Sequence, residues 1–351
     1  MSSIFLGQFS SKPVMLITTT KPSKGAPRIK FTAQTGLQSA LKRPETLNAY
    51  EYAYLYNEAA RAGTNPIIPY DQEDFDLYRA GTDPYGHPDV DWYKTLMNKT
   101  APISRYNLGV NGGNEIARYV ISLGYFNKQG LFKESTLKPY ETKLNLNRYT
   151  VNTNVDVNVS KNFNAALQLF GRIQDGNQPG ESYTSLYGSI INTPSVAYPV
   201  YNPNGSFGGS QQFNNNLLAR AQASGYTKDN ARDVMANLTL TYKFDDVLKG
   251  LYGKIQGNTT SGTTNIIIRT EQNESFQMVS GPDGTTYNRF GSNLVQSNNY
   301  NLTSNYQIWF AQAALGWNGT FGKHQINSSL FADQRSVLSN YDLPAKTYNF
   351  A

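Results

Sequence analysis

Tyr149-Thr150-Val151-Asn152-Thr153-Asn154-Val155-Asp156-Val157-Asn158-Val159 alternates two classes of side chain from end to end. A β-strand turns successive side chains to opposite faces. Tyr149, Val151, Val155, Val157 and Val159 therefore share one face, and Asn152, Asn154, Asp156 and Asn158 the other. A helical period would scatter both classes around the axis. The stretch reads as a strand with one apolar face and one neutral polar face.

The same pattern recurs on both sides of it. Ile29, Phe31, Ala33, Thr35 and Leu37 alternate with Lys30, Thr32 and Gln34; Tyr106, Leu108 and Val110 with Arg105, Asn107 and Gly109. Ala117, Tyr119, Ile121, Leu123 and Tyr125 follow, then Leu167, Leu169, Gly171 and Ile173, then Val234 to Phe244, Trp309 to Trp317, and Ile326 to Ala332. Period two predicts nine strands, near 28–37, 104–111, 115–126, 148–159, 164–175, 232–244, 250–258, 306–320 and 324–334, the seventh being the least regular. Each covers about ten residues, which at about 3.3 Å per residue and a 45° tilt spans roughly 23 Å, the apolar band of an outer membrane. Tyr125, Phe126, Tyr149, Phe163, Tyr242, Phe244, Trp309 and Trp317 lie near strand ends, where an interfacial girdle needs aromatic rings.

A soluble β-sandwich also alternates, so the strands alone leave both readings open. The connections separate them. Asn111-Gly112-Gly113-Asn114, Ser160-Lys161-Asn162, Asp245 to Lys249 and Gly322-Lys323-His324 are short. Between them lie long connections, roughly 38–103, 127–147, 176–231 and 260–305. Greek-key sandwiches have no reason to alternate short with long, whereas an up-and-down barrel has turns on one side of a membrane and loops on the other. The fold class is therefore all-β, a transmembrane antiparallel up-and-down β-barrel. Nine is an odd count for a bacterial barrel, and the reading expects the chain to stop in an outward loop with the wall incomplete.

Composition agrees. Tyr contributes 25 residues and Phe 17, while charged residues are 16%, below the roughly 25% of a soluble domain. No apolar run is long enough for a transmembrane helix. Cysteine is absent, which fits export. No basic, then apolar, leader follows Met1-Ser2-Ser3, so export expects the start of the chain to lie upstream. The charge of +6 comes from scattered Lys and Arg rather than a dense patch, which argues against nucleic acid.

Two helices are expected in the first long loop. Asn48 with Glu51 forms a capping box for 49–62, closed by Gly63, and Asp71 caps a shorter helix that stops at Gly81. Ala49, Tyr52, Ala53, Tyr56, Ala59 and Ala60 would pack the first helix on the barrel rim.

Several segments together resemble a known family. Val14-Met15-Leu16-Ile17-Thr18-Thr19-Thr20 is similar to the end of the plug domain of TonB-dependent receptors, with a third Thr in place of the usual Lys. The SusC/RagA branch of those receptors is resembled by Tyr50-Glu51-Tyr52-Ala53 with Tyr56-Asn57-Glu58-Ala59, Tyr78-Arg79 with Asp83-Pro84-Tyr85, and Asp91-Trp92-Tyr93. Val110 to Glu115, Leu123 to Asn127 with Gly130, and Tyr198-Pro199-Val200-Tyr201-Asn202-Pro203-Asn204-Gly205-Ser206 add to it, as do Phe331 to Arg335 and Leu338 to Asp342. The resemblance implies residues 1–20 as a plug remnant and 21–351 as part of a barrel of about 22 strands. It also implies an importer powered through TonB and paired with a SusD-like surface lipoprotein that captures glycans or peptides. The TonB box, most of the plug and about half the barrel of that family are missing from the match, so energy-coupled transport by this chain alone is not expected.

Catalytic and cofactor motifs are missing: there is no G-x-S-x-G, Walker loop, G-x-G-x-x-G or H-E-x-x-H. No cofactor or enzyme activity is expected. His87 and His324 are isolated in sequence. Asp71, Glu73, Asp74 and Asp76 suit a helix cap and polar face better than a hydrolase carboxylate pair. Asp83, Asp89 and Asp91 are weak calcium candidates without an EF-hand pattern. Trp92, Tyr93, Tyr187, Tyr198 and Tyr201 are the candidates for stacking on sugars or on a partner, although packing of the loops on one another explains them more economically. Three functions follow: part of an outer-membrane nutrient importer, a secreted soluble β-rich glycan-binding or adhesion protein, and a glycoside hydrolase.

Overall fold

A computed structural model describes residues 22–63, 67–282, 284–340 and 345–350. The plug remnant expected at 1–20 lies outside them. The strands are β1 (Gly25–Gln38), β2 (Ala101–Gly113), β3 (Ala117–Gln129), β4 (Asn145–Asn158), β5 (Phe163–Pro179), β6 (Gly225–Lys243), β7 (Leu251–Gln272), β8 (Ser275–Gly281), β9 (Gly284–Phe290), β10 (Leu294–Phe321), β11 (His324–Ser339) and β12 (Ala345–Phe350). Five helices sit in the loops: α1 (Ala49–Arg61), α2 (Gln72–Ala80), α3 (Trp92–Leu96), α4 (Tyr183–Asn192) and α5 (Leu217–Gln222).

Ten strands form one sheet in the order β1-β2-β3-β4-β5-β6-β7-β10-β11-β12, with β8 and β9 a separate hairpin. Every pairing in the sheet is antiparallel and follows chain order. All nine expected strands are present. β12 is an addition: it pairs with β11 where a loop was expected, so the last connection, 340–344, is short on the side where the others are long.

The register confirms which residues share a face. Phe31, Leu108, Leu123, Val151, Gly171 and Val234 are consecutive partners across β1 to β6. This face is bare: Ile29 is 73% exposed and Phe31 64%, and Leu123, Leu238, Ile255, Leu315 and Leu330 are exposed with them. An apolar sheet face that size left to water would be an aggregation surface, whereas lipid is its natural solvent. A sandwich would have covered it with a second sheet. Among the described residues no helix is long and apolar enough to cross a membrane.

Aromatic rows bound that face. Toward the loop end Tyr106, Tyr125 and Tyr149 are partners in one row, with ring centroids 6.1 and 4.9 Å apart. Toward the turn end Phe163 faces Tyr242, and Tyr242 contacts Phe244. The first row continues into Ile173, so along β5 the two rows lie ten residues apart, from Phe163 to Ile173. That is roughly 23 Å at a 45° tilt, the thickness of the apolar band. Phe126 is a correction to the expected girdle: it is on the opposite, inner face, opposite Arg105 and Arg148.

Strand length is a second correction. The strands run from 13 to 28 residues, apart from the short β8, β9 and β12. Beyond the aromatic row the pairing of β6, β7 and β10 continues, and the long connections shrink to 39–100, 130–144, 180–224 and 273–293. The expected alternation of short turns and long loops holds for the first eight connections of the sheet.

Candidate functional site

The buried core of the described chain is made by loops, at the end opposite the turns. Trp92, Tyr93, Leu96 and Met97 from the first long loop pack with Phe132 from the second and with Leu186, Ile190, Tyr198, Leu217, Leu218 and Ala221 from the third. Their apolar side chains are shared among three loops, so ordering one loop helps order the others. Each short helix starts at a residue suited to capping: Asp91 for α3, Ser182 for α4 and Asn216 for α5.

Two asparagines knot this cap. Asn216 accepts from the amides of Leu218 (2.9 Å) and Ala219 (3.2 Å), and its own amide donates to the carbonyls of Val200 (3.0 Å) and Gly208 (2.8 Å). Asn202 donates to Ser206 Oγ and to the carbonyl of Phe276 (2.9 Å), tying the third long loop to the β8–β9 hairpin. At Gly208 a Cβ would lie 1.9 Å from the Pro199 carbonyl oxygen, so only glycine lets the two backbones meet. Glu181 and Arg220 form a bidentate pair, at 2.7 and 2.5 Å, between the end of β5 and α5. Burial would raise the Glu181 carboxyl, but hydrogen bonds from Arg220 and Ser185 outweigh it and hold the group below its ordinary value.

The five aromatic candidates fall in different places. Trp92 is 3% exposed and Tyr198 2%, with ring centroids 4.8 Å apart. Trp92 Nε1 donates to the Pro194 carbonyl (3.1 Å), and the Tyr198 hydroxyl accepts from the amide of Leu217 (3.1 Å). Burial pushes the Tyr198 hydroxyl up to about 12. Tyr93 is buried beneath the Arg43 guanidinium, 4.8 Å from its ring centroid. Tyr187 is half-buried at the margin of the core. Tyr201 is 37% exposed and stacks on Phe207.

The acidic candidates are tied up structurally. Asp83 accepts from Gly86 N and contacts His87; Asp89 accepts from Ala49 N; Asp91 caps α3 and pairs with Arg43. They do not converge, and among the described residues no group of three or more His, Asp or Glu could hold a metal ion. Asp71 and Asp74 form the capping box of α2, and Asp76 bonds Gln72.

The first-loop helices pack mainly on each other. α1 has the expected capping box of Asn48 and Glu51, and α2 ends at Gly81 with φ 63°. Ring contacts run from Tyr52 through Tyr56, Tyr70 and Tyr78 to His87, and buried Asn57 bonds both backbone groups of Tyr70. Tyr56 and Ala59 are exposed, so the face expected to meet the barrel rim turns partly to water while α1 packs on α2. His87, isolated in sequence, is held by Asp83 (2.8 Å) and Asp74 (2.9 Å). Burial would lower its pKa, but these two carboxylates raise it.

The inner wall, unlike the outer face, is polar. Arg118 meets Asp156, Arg172 meets Asp233 at 2.5 Å, and the Tyr306 hydroxyl also donates to Asp233. One row crosses five strands as Gln34, Arg105, Phe126, Arg148 and Gln174. The two guanidiniums lie 5.5 and 5.8 Å from the Phe126 ring centroid, and Arg148 Nε donates to Gln174 (2.8 Å). Sequence reasoning missed this row because its members lie on five separate strands and only the register aligns them.

An antiparallel meander with a bare apolar outer face, a polar inner face and structured loops at one end is the wall of a transmembrane β-barrel. No family model matches the chain. A TonB-dependent receptor of Formosa agariphila is 26% identical over 205 residues, 56% of this chain and 18% of that protein. The TonB-dependent receptor SusC of Bacteroides thetaiotaomicron is 24% identical over 324 residues, 88% of this chain and 29% of that protein. The RagAB peptide importer in its closed-closed state shares the fold, with a TM-score of 0.62 and 17% identity over 95% of this chain and 40% of that one. The chain is thus similar to a part of the SusC/RagA-type TonB-dependent receptors. It spans under a third of the length of the curated relatives it matches.

Proposed function

We propose that the chain serves in an outer-membrane importer that takes up glycans or peptides, works with a SusD-like surface lipoprotein and draws energy through TonB. The observation that carries this reading is the pairing of a lipid-suited outer face with a polar inner wall capped by interlocked loops at one end. Such a wall surrounds a wet path for polar solutes. RagAB, which shares the fold, is described as a peptide importer, and SusC as a TonB-dependent receptor. In this reading residues 1–20 end a plug and 21–351 belong to the barrel wall, and the role is non-catalytic.

Tyr187 and Tyr201 are our candidates for stacking on a sugar ring or a partner, since both keep exposed ring surface at the cap. Trp92, Tyr93 and Tyr198 would serve that surface by holding the cap rigid, and Asp83, Asp89 and Asp91 by fixing the segments around α3. Deleting the gene from its source organism and following uptake of fluorescent oligosaccharides and labelled peptides tests the reading. Import lost on deletion and restored by the intact gene, but not when TonB is removed, is the expected result. Recovery of the protein as a soluble monomer without detergent would overturn it, and would favour a secreted β-rich binding protein.

A further inference from the structure

We propose that Arg105, Phe126 and Arg148 form a binding site on the inner wall for carboxylate groups, which makes acidic oligomers the preferred solutes. The inference rests on the import reading and names the substrate chemistry within it. The three side chains occupy one row of three adjacent strands, so β2 and β4 lie about 10 Å apart with the ring between them. Both guanidiniums lean toward that ring. No ion pair among the described residues involves either one. Nearby carboxylates are already engaged: Asp233 by Arg172 and Tyr306, Asp156 by Arg118 and Asn164. Asp229 is in the next row, on β6, two strands beyond Arg148.

An anion placed over the ring between these two strands is attracted by both positive charges at once. On the same wall Arg118 and Arg172 are each matched with an acid, Asp156 and Asp233, whereas Arg105 and Arg148 flank one aromatic ring with no acid between them. A guanidinium drawn toward an aromatic ring keeps N–H donors for a carboxylate; Arg148 commits its Nε to Gln174 and retains its two terminal nitrogens. Gln34 and Gln174 end the row with amides that can bond the hydroxyls of a sugar or the backbone of a peptide.

The test is equilibrium binding by calorimetry to the intact receptor purified in detergent. Trigalacturonate and triglutamate serve as acidic probes, maltotriose and triglutamine as their neutral counterparts. At least one acidic probe should bind ten times more tightly than its neutral counterpart, and which one does separates a glycan source from a peptide source. Arg105→Gln with Arg148→Gln should abolish that preference, while Arg105→Lys with Arg148→Lys should restore part of it, because charge returns without the fork. Unchanged heat-modifiable mobility on gels shows that the variants are folded. Equal affinity for acidic and neutral probes in the wild type would overturn the proposal, and so would a preference that survives the glutamine variant. A carboxylate from elsewhere in the receptor seated in the row gives the first of these results. A receptor that prefers acidic probes yet supports no uptake would instead fail the import reading and leave this site standing.

Discussion

Asn216 shows how a single side chain can hold a loop assembly. Its carbonyl oxygen caps α5 and its amide bonds two carbonyls from another part of the same loop. Asn216→Ala should therefore cost about 1 kcal/mol for the cap alone. It should cost a further about 1–3 kcal/mol for the Gly208 carbonyl left unsatisfied, since the Val200 carbonyl keeps the Gly208 amide. Asn216→Asp keeps the cap and loses the donor, so its effect should be intermediate. Limited proteolysis in detergent reads this as faster cleavage within 180–224, and equal rates for both variants and the wild type would refute the assignment. Gly208→Ala should open the same region, because the Pro199 carbonyl occupies the space of the new methyl. Trp92→Ala removes the largest side chain of the cap and should cost about 3–5 kcal/mol locally, with cleavage extending to 130–144.

The first-loop hairpin illustrates a different kind of element, one built from local signals. The capping box of α1, the Asp71 cap of α2 and the stop at Gly81 are legible because each needs only nearby residues, and the structure adds Asp74 as the partner that completes a box at Asp71. The link from α2 to the segment after it is not local, and it titrates. His87 has a raised pKa in the folded loop, so its contribution is complete below the ordinary imidazole value of 6.5 and is lost as pH rises through the raised value. Asp83 is lowered, first by the backbone bond from Gly86 and then by His87. Its contribution is present above the ordinary 3.8 and is lost as pH falls through the lowered value. Amide protection across 82–91, taken relative to the intrinsic exchange rate at each pH, should then be greatest between those two ordinary values and fall on either side. His87→Gln should remove the alkaline limb and leave the acid one.

At the scale of the whole molecule, the two sides of the sheet predict opposite responses to the same substitution. Ile121→Arg places a charge on the apolar outer face, four residues from the upper aromatic row along β3, where it should cost about 2–4 kcal/mol near the bilayer midplane. Ser122→Arg, one residue away, points to the polar wall and should be tolerated. The fraction of protein reaching the heat-modifiable, membrane-inserted form measures both. Equal assembly of the two variants would refute the contrast between the faces, and poorer assembly of Ser122→Arg would mean that they have been assigned the wrong way round.

Side-chain alternation was readable in the sequence because period two is a property of the extended backbone itself. Strands β1 to β6, the short turns and the apolar face follow from it without reference to any distant residue. β7 was the faintest: Gly253, Gly257, Thr259 and Ser261 occupy its outward positions, so its hydrophobic alternation is weak although hydrogen bonds pair it on both sides. The upper parts of β6 and β10, the β8–β9 hairpin and β12 were hidden for the same reason, since pairing rather than lipid contact defines them. What only the tertiary structure decided was juxtaposition. Trp92 meets Tyr198 across three loops' shared core, and Arg105, Phe126 and Arg148 form one row because the register of two strand pairs aligns them. A chain's periodicity states which way a side chain points, but its neighbour across a sheet or a loop depends on where distant segments stop and turn.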